Sequence, residues 1–208
     1  MNVLITAGAT REPIDAVRFL SNVSTGSTGA ALADAFSADG HAVTLLRGEG
    51  AATPNGECAL ESFSSAVNLW SRLERRLCTG TFDIMIMAAA VSDYRPEIFD
   101  DGKISSDPLH LTLTLVRNPK ILPQLKAFSP RPLLVVGFKL TVGADAAERK
   151  AAVAAQFFSG GVDCVVHNDL AEIRLAKAHP FRFFSSAENL PEEISGCAAL
   201  AARLLQLR

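Results

Sequence analysis

The feature that most constrains the fold is an apolar run at the start of the chain, together with the glycine-rich turn that follows it. Residues 3–8 have the composition of a buried strand, and residues 24–29 are small or hydroxyl-bearing and lead into a helix. A strand, a glycine-rich turn and a helix N-terminus can hold phosphate, because small residues let backbone N–H groups approach the anion. In a dinucleotide fingerprint the glycines follow the strand directly, whereas here the turn lies about twenty residues downstream. The stretch therefore predicts a phosphate site other than the standard NAD fingerprint.

Apolar, strand-like runs alternate with helical patterns along the rest of the chain. The runs predict strands at residues 3–8, 41–46, 60–63, 83–91, 133–138 and 163–166, with an edge strand at 181–184. Periodicity and stop signals predict helices at residues 30–38, 66–77, 120–128, 145–158 and 190–207. Leucines that alternate with other residues predict one more strand at residues 109–116. We therefore predict an α/β fold with a doubly wound, mostly parallel, Rossmann-like sheet.

Length and composition bound the class of protein. A chain of 208 residues, 49% of them hydrophobic, can bury a sizeable core, so we expect a single domain over residues 1–208. The formal net charge of −2 argues against a general nucleic-acid or anionic-membrane surface, but it leaves anionic small molecules open. The N-terminus lacks the pattern of a secretory leader, and no apolar run is long enough to span a bilayer. We expect a soluble, cytoplasmic protein.

The cysteines and histidines are scattered and show no metal-ligand spacing. They are Cys58, Cys78, Cys164, Cys197, His41, His110, His167 and His179. We therefore expect reduced thiols packed as small hydrophobic groups, and no His/Cys metal site.

Ligands of a doubly wound sheet bind beyond the carboxyl ends of its strands. Four segments are predicted to meet there: residues 7–29, 88–95, 137–141 and 167–169. An NAD(P)-dependent reductase is one alternative for such a fold. It is disfavoured because Arg47 and Gly48 stand where an acid would hold the ribose. Tyr94, the only tyrosine, also has no lysine four residues later.

Two polar residues of these segments are candidates for ligand contacts. The amide of Asn22 could donate to a carbonyl or phosphate oxygen without repelling an anionic substrate, although a turn role also suits asparagine. Asp93 could hold a divalent cation through nucleotide phosphates, or it could cap a helix or turn.

The polar segment at residues 97–108 is predicted to be a mobile flap. Its Lys103 could close over phosphates and oppose charge that develops in a transition state, or it could be a solvated surface lysine. Arg11 and Arg18 could guide anions into the cleft, and both are equally compatible with a surface role.

Together these pieces resemble phosphopantothenate–cysteine ligase, also called phosphopantothenoylcysteine synthetase, of coenzyme A biosynthesis. The matching segments are residues 6–15 (TAGATREPID), 17–26 (VRFLSNVSTG), 87–94 (MAAAVSDY), 102–106 (GKISS), 116–122 (VRNPKIL), 137–140 (GFKL) and 168–170 (NDL). They occur in order, and the resemblance extends to about residue 184. The segments at 103–106 and 138–140 resemble the free-standing forms rather than those fused to a flavin-dependent decarboxylase.

The resemblance implies a reaction in two halves. The carboxylate of 4′-phosphopantothenate attacks the α-phosphate of CTP, or of ATP, with Mg²⁺, and forms an acyl-nucleotidylate and pyrophosphate. The amine of L-cysteine then displaces the nucleoside monophosphate to form the amide. The resemblance also implies a homodimer, with the active site near the subunit interface.

The resemblance assigns roles to individual residues. It implies that Asn22 contacts the acyl intermediate and that Lys103 lies near the triphosphate, so both are candidate catalytic residues. Candidate nucleotide contacts are Gly8, Ser24, Thr25, Gly26, Met87, Ala88, Ala89, Asp93, Pro119, Lys120 and Phe138, with Asp93 also the candidate metal contact. Candidate substrate contacts are Asn22, Ala89, Ala90 and Arg18.

The chain departs from the family pattern at several positions. Ser27, Gln156 and Gly160 stand near places where family members carry lysines. These departures motivate an alternative, a nucleotide-binding or interaction protein that keeps the fold without turnover.

Overall fold

The computed structural model describes residues 1–176 and 178–207, with twelve strands and six α-helices in them. The strands are β1 (Asn2–Ala7), β2 (Arg11–Pro13), β3 (Phe19–Ser21), β4 (Ala42–Gly48), β5 (Ala59–Phe63), β6 (Ile84–Met87), β7 (Tyr94–Pro96), β8 (Leu115–Arg117), β9 (Leu134–Thr141), β10 (Cys164–Asp169), β11 (Pro180–Phe184) and β12 (Glu192–Ser195). The helices are α1 (Ser27–Ala38), α2 (Ala66–Leu77), α3 (Leu125–Phe128), α4 (Ala146–Phe158), α5 (Leu170–Leu175) and α6 (Cys197–Leu205), and a 3-10 turn covers Leu122–Gln124.

Eight of the strands form the central sheet, in the order β12-β11-β10-β9-β6-β1-β4-β5. The six strands from β10 to β5 are parallel, and β11 and β12 run antiparallel at one edge. The chain runs outward from β1 through β4 and β5, and then returns to β6 on the other side of β1. The direction of winding therefore reverses between β1 and β6, which is where ligands bind in doubly wound sheets. The predicted fold is confirmed.

Side chains alternate between the two faces of β1, and different helices cover the two faces. Ile5 packs in one cluster with Phe36 of α1 and Leu200 of α6. Leu4 packs in another with Leu73 of α2. All five side chains are fully buried, and burial of one such side chain typically contributes about 1.5–3 kcal/mol. None of the helices in the described residues is long and apolar enough to cross a membrane.

Two short hairpins stand on the carboxyl edge of the sheet. One is β2–β3, in the stretch between β1 and α1, and the other is β7–β8, which follows β6. A pair of isolated bridges, Ala9–Ala90 and Asp15–Asp100, joins the segments that carry these hairpins. The candidate site is built around them.

The predicted parallel strands are confirmed, and the helix predicted at residues 66–77 has these bounds. The strand predicted at 83–91 is shorter and ends at Met87, because the next backbone turns to bond with the loop after β1. The strand predicted at the edge, 181–184, lies inside the sheet as β11, since β12 pairs with its outer side.

The strand predicted at residues 109–116 was wrong in extent. Only Leu115–Arg117 is a strand, and Leu109 and Leu111 are 95% and 54% exposed. An alternating pattern becomes a buried strand face only where a neighbouring strand and a core are present to receive it.

Two predicted helices were also too long. Residues 120–128 form a 3-10 turn and a single short helix, because Pro123 has no N–H for a continuous helix. Residues 190–207 contain β12 before α6. Gly196, between them, has a φ of 82°, a left-handed value that a helix interior excludes.

Candidate functional site

Three glycines that are distant in sequence meet where β1 ends and α1 begins. Gly8 and Gly26 have φ angles of 79° and 76°, which glycine adopts far more readily than other residues. A Cβ on Gly29 would lie 2.4 Å from the Cβ of Ala7, and one on Gly8 would lie 2.5 Å from that of Ala51. Only glycines let the first turn of α1 lie so close to β1. They occupy the three places of a dinucleotide fingerprint, with the β2–β3 hairpin looped out between the first two.

The N-terminus of α1 lies at the switch point between β1 and β6. Its first turn contains no acidic residue. The Ser27 N–H donates to Thr25 Oγ1 at 3.3 Å, and the Thr25 hydroxyl donates to Ser27 Oγ at 3.0 Å. The first N–H groups of a helix have no intrahelical acceptor, and the helix dipole favours an anion there. Ser24, Thr25 and Gly26 therefore lie where phosphate binding was predicted.

The backbone after β6 runs alongside the loop after β1. The Ala90 N–H donates to the Gly8 carbonyl at 2.8 Å, and the Thr10 N–H donates to the Ala90 carbonyl at 3.2 Å. The Ala89 N–H donates to Thr6 Oγ1 at 3.2 Å. These backbone groups are bonded within the protein, and the small side chains at this place leave room for a ligand to approach closely. A set of predicted contact residues is thereby brought together: Gly8, Met87, Ala88, Ala89 and Ala90.

Asn22 lies beside this backbone, directly after β3. Its side chain is exposed, and its Nδ2 donates to the Val91 carbonyl over a long 3.4 Å. The Ser21 hydroxyl donates to the Thr10 carbonyl at 2.7 Å, so the end of the hairpin is fixed to the loop after β1. The amide of Asn22 is therefore placed at the switch point and is only weakly engaged.

Asp93 forms an ion pair with Lys120 at 2.5 Å. The two side chains are 64% and 73% exposed, so the pair contributes at most about 1 kcal/mol. Asn118, which precedes Pro119, is buried and anchors the segment by donating from Nδ2 to the Ser92 carbonyl at 3.0 Å. Among the described residues, no group of three His, Cys, Asp or Glu side chains could hold a metal ion. Asp93 thus offers a single carboxylate, and its role as a metal contact stays a prediction.

The predicted flap contacts the β2–β3 hairpin on both sides of Lys103. The Ala16 N–H donates to the Gly102 carbonyl at 2.9 Å, and the Ile104 N–H donates to Asp15 Oδ2 at 3.1 Å. Lys103 itself is exposed, and its ammonium has no ion-pair partner within the part of the chain that the structure describes. Its backbone is held while its side chain is free.

Asp15 is the centre of this contact, and its side chain is completely buried. Oδ1 accepts from the N–H groups of Val17 at 2.9 Å and Arg18 at 2.7 Å, and Oδ2 accepts from Arg18 Nη1 at 2.8 Å. Burial alone would raise the pKa of the Asp15 carboxyl. Hydrogen bonds from Val17, Ile104 and Arg18, with the Arg18 charge, outweigh burial and hold that pKa below its usual value.

The two predicted arginines are both engaged with the hairpin. Arg18 Nη1 also donates to the Ile104 carbonyl at 3.2 Å. Arg11 pairs with Glu49 at 3.7 Å and lies 4.6 Å above the ring of Phe19. Both guanidinium groups line an open cavity of about 420 Å³. A substrate role for Arg18 stays a prediction.

Phe138 lies further along the sheet, on β9. It is half-buried, with its ring centroid 6.3 Å from that of Phe181. Gln156 of α4 lies across Gly137, where a Cβ would be 2.4 Å from Nε2, and donates to the Phe138 carbonyl at 3.3 Å. Gln156 Oε1 is buried without a partner among the described residues. Where a lysine was expected, this chain holds an amide against the sheet.

A buried polar network closes the ends of β9 and β10. The Thr141 hydroxyl donates to Asp169 Oδ2 at 2.6 Å and lies 2.9 Å from His167 Nε2. Because the single hydroxyl proton goes to the carboxylate, His167 Nε2 carries its own proton and donates to Thr141. Burial and the charges of Arg182 and Arg149 lower the pKa of His167 to about 4.

Asp169 ties this network to the neighbouring loops. It also accepts from the N–H groups of Gly143 at 2.9 Å, Ala144 at 3.1 Å and Ala171 at 2.9 Å. The Thr141 hydroxyl and these N–H groups, opposed by burial, hold the pKa of Asp169 well below its usual value. The network fixes the start of α4 and α5 at the carboxyl edge.

Sequence reasoning missed the individual roles of Asp15, Thr141 and Asp169, although it placed all three in matching or converging segments. The available signal for Asp15 was an aspartate in a turn sequence, where it can accept from the N–H groups that follow it. Nothing in the sequence indicated that Asp15 would also bind the flap.

Comparisons with known proteins show the family to which the chain belongs. The family model for the C-terminal domain of DNA/pantothenate metabolism flavoproteins matches residues 1–188. The coenzyme A biosynthesis bifunctional protein CoaBC of Thermococcus kodakarensis is 37% identical over 168 residues, 81% of this chain and 41% of that protein. Its namesake from Methanocaldococcus jannaschii is 34% identical over 176 residues, with 82% and 41% covered. The chain thus spans about two fifths of the length of these relatives.

Solved structures share the fold over the whole chain. The DNA/pantothenate metabolism flavoprotein from Streptococcus pneumoniae has a TM-score of 0.87 at 25% identity, covering 100% of this chain and 97% of that one. A histidine-to-alanine variant of Cab2 in complex with phosphopantothenate-cysteine has a TM-score of 0.83 at 20% identity, covering 99% and 85%. The chain belongs to the family of the C-terminal domain of DNA/pantothenate metabolism flavoproteins.

Proposed function

We propose that this protein is a phosphopantothenate–cysteine ligase of coenzyme A biosynthesis, as the sequence motifs imply. Two relatives carry the name of a coenzyme A biosynthesis protein, and a protein of the same fold has been solved with phosphopantothenate-cysteine. The observation that carries the proposal is the glycine corner (Gly8, Gly26 and Gly29) at the strand switch point, with the N-terminus of α1 and the amide of Asn22 beside it. The flap that carries Lys103 is bound to the β2–β3 hairpin, which lies between Gly8 and Gly26 in the chain.

In the first half-reaction the substrate carboxylate attacks the α-phosphate of the nucleoside triphosphate. A P–O bond to the carboxylate forms, and the bond to the pyrophosphate leaving group breaks. The N–H groups at the start of α1 hold phosphate oxygens, and the Lys103 ammonium opposes the charge that builds up on the triphosphate. The small residues Ala88, Ala89 and Ala90 let the ligands reach the backbone.

In the second half-reaction the amine of cysteine attacks the acyl carbon. A C–N bond forms, the bond from the acyl carbon to the phosphate oxygen breaks, the nucleoside monophosphate leaves, and the amine releases a proton to solvent. Asn22 donates from its amide to the acyl oxygen. Because the side chain is neutral, it does so without repelling the nearby phosphate.

The residues present fit a magnesium-bound nucleotide only in a limited way. Mg²⁺ is commonly held by one or two carboxylates together with substrate phosphates. Asp93 supplies one exposed carboxylate, already paired with Lys120. When bound, Mg²⁺ would neutralise phosphate charge, and Asp93 would hold it once Lys120 turns to the phosphates.

CTP is the nucleotide we favour, with ATP as the alternative. Pro119, Lys120 and Phe138 are the proposed contacts along the nucleotide, with Ser24 and Thr25 at the phosphates. Gln156 occupies the place of a family lysine with an uncharged amide that is held against Phe138. We therefore expect a lower affinity for the nucleotide than in family members that carry the lysine.

A homodimer completes the proposal. Large apolar side chains on the two hairpin segments stay exposed in the single chain: Val17, Phe19, Ile98, Phe99, Leu111 and Leu115. Exposed apolar patches are characteristic of interaction surfaces, and the two segments that carry these side chains are joined by the bridge between Asp15 and Asp100. Analytical ultracentrifugation should find a dimer, and a monomer at micromolar concentration would contradict this part.

The test of the function is incubation with 4′-phosphopantothenate, cysteine and Mg²⁺, with CTP or ATP in parallel. Pyrophosphate and a product with the mass of the amide are expected with at least one nucleotide. Nucleotide binding without turnover would instead support a non-catalytic protein, as Ser27, Gln156 and Gly160 suggest. Oxidation of NADPH would favour the reductase, which Arg47 at the end of β4 disfavours.

A further inference from the structure

Several hydrogen bonds join the flap to the turn of the β2–β3 hairpin. Asp15 Oδ2 and the Arg18 guanidinium bind the N–H and the carbonyl of Ile104. The Ala16 N–H binds the Gly102 carbonyl. Lys103 is thus flanked on both sides by backbone hydrogen bonds to one turn of the hairpin.

The carboxylate of Asp15 divides its two oxygens between two tasks. Oδ1 closes the local turn through Val17 and Arg18, and Oδ2 reaches across to the flap and to the Arg18 guanidinium. Since the charge of the Asp15 carboxylate is paired with Arg18, this carboxylate does not compete with a ligand for Lys103. The flap lysine keeps its charge available for a ligand.

We propose that Asp15 is a positioning residue that latches the flap and so sets the place of Lys103 before any ligand binds. We call Asp15, Arg18, Gly102 and Ile104 the latch. The inference rests on the proposed function for its catalytic consequence, but its structural part stands without it. A backbone that is already ordered loses less entropy when Lys103 meets the phosphates, which favours the first half-reaction.

The substitution Asp15→Asn separates the two tasks. The retained oxygen still accepts from Val17 and Arg18, whereas the new amide group presents N–H groups to the Ile104 N–H and the Arg18 guanidinium. A matched control is Asp34→Asn. Asp34 is likewise bound to a loop, through the Gly56 N–H at 2.8 Å and Asn55 at 3.0 Å, but it lies in α1 away from the flap.

The first readout is the rate at which trypsin cuts after Lys103 in the unliganded protein. Loss of a hydrogen bond to a charged group should raise this rate on the order of tenfold to a hundredfold in Asp15→Asn, and Asp34→Asn should leave it unaltered. An unchanged rate in Asp15→Asn overturns the latch, whether or not the protein is a ligase. Should Asp15→Asn fail to fold, hydrogen exchange in the wild-type protein decides. A protected Ile104 amide supports the latch, and one exchanging as fast as an unfolded amide refutes it.

The second readout is pyrophosphate release in a single turnover. If Asp15 acts through Lys103, then Asp15→Asn slows this step, and adding it to Lys103→Ala slows the reaction no further. Additive losses would contradict a positioning role. If the wild-type protein releases no pyrophosphate with any nucleotide, the proposed function fails, while trypsin and hydrogen exchange still decide the latch.

Discussion

The close packing of α1 against β1 at the candidate site can be tested by Gly29→Ala. The added methyl would lie 2.4 Å from the Cβ and 3.3 Å from the Cα of Ala7, where carbon atoms normally stay about 3.5–4.0 Å apart. Overpacking of this kind typically costs about 1–3 kcal/mol. Alanine is intrinsically better than glycine in a helix by up to about 1 kcal/mol. The net expectation is destabilisation by about 1–2 kcal/mol, or a melting temperature lower by about 2–8 °C.

A double-mutant cycle shows whether the contact with Ala7 is the cause. Ala7→Gly removes the methyl that Gly29→Ala would meet, so the two changes together should destabilise less than the sum of their separate effects. A coupling of about 0.5–3 kcal/mol is expected for residues in contact. Urea unfolding of the four proteins measures it. Strict additivity, or a Gly29→Ala variant as stable as the wild type, would refute the idea that this glycine is needed for close packing.

The same substitution should also affect ligand binding. If the first turn of α1 binds phosphate, the added methyl group displaces this turn from β1 and moves its N–H groups away from the ligand. Gly29→Ala should then raise the Kd for the nucleoside triphosphate, measured by calorimetry below the melting transition. Unaltered affinity in a clearly destabilised variant would remove α1 from the phosphate site.

Four further predictions concern single side chains. Lys103→Ala should slow pyrophosphate release in a single turnover while changing the free energy of unfolding by no more than about 0.5 kcal/mol; a wild-type rate would make Lys103 a solvated surface lysine. Asn22→Asp should reduce turnover on the order of 10²–10³-fold with unchanged melting behaviour, and near-normal turnover would exclude Asn22 from the site. Asp93→Asn should raise the Mg²⁺ and nucleotide concentrations needed for half-maximal rate, whereas lower stability without that shift would indicate a structural role. His167, whose pKa is lowered to about 4, stays neutral in the folded protein while the unfolded chain gains a proton below its usual pKa of about 6.5. The free energy of unfolding should therefore fall as the pH drops from about 6.5 to 4. This dependence on pH should be weaker in His167→Gln but not in His110→Gln. An equal dependence in all three proteins would show that His167 is not its cause.

The sheet and the edge where the site lies could be predicted, because fully apolar runs separated by helical patterns specify a parallel sheet. Segments that follow such strands must meet at one edge. That reasoning placed Asn22 and Ala88–Ala90 near the glycine-rich turn from sequence alone. It needed no knowledge of side-chain packing.

The glycine corner could not be predicted, because its three members are not consecutive. Gly8 and Gly26 read as parts of one long stretch, and the hairpin between them hides the fingerprint spacing. Their relation emerges only from the distances to Ala7 and Ala51. The sequence indicated that small residues were needed for close packing, but it did not indicate which residue each glycine packs against.

The latch is a second feature that could not be predicted from the sequence. Asp15 and Ile104 are 89 positions apart, and the flap between residues 97 and 108 is polar enough to read as a free loop. A buried carboxylate is recognisable only when its donors are known, and these come from two separate hairpin segments. The contact depends on tertiary structure rather than on local pattern.

The fate of the substrate carboxylate oxygen tests the proposed reaction most directly. Single turnover of 4′-phosphopantothenate labelled with ¹⁸O in its carboxylate, with CTP, cysteine and Mg²⁺, should give the amide together with CMP that carries one ¹⁸O in its phosphate. That transfer requires a bond between the carboxylate oxygen and the α-phosphorus. Label in inorganic phosphate, with CDP as the other product, would contradict attack at the α-phosphate. Absence of labelled nucleotide and of amide with both CTP and ATP would contradict the ligase itself.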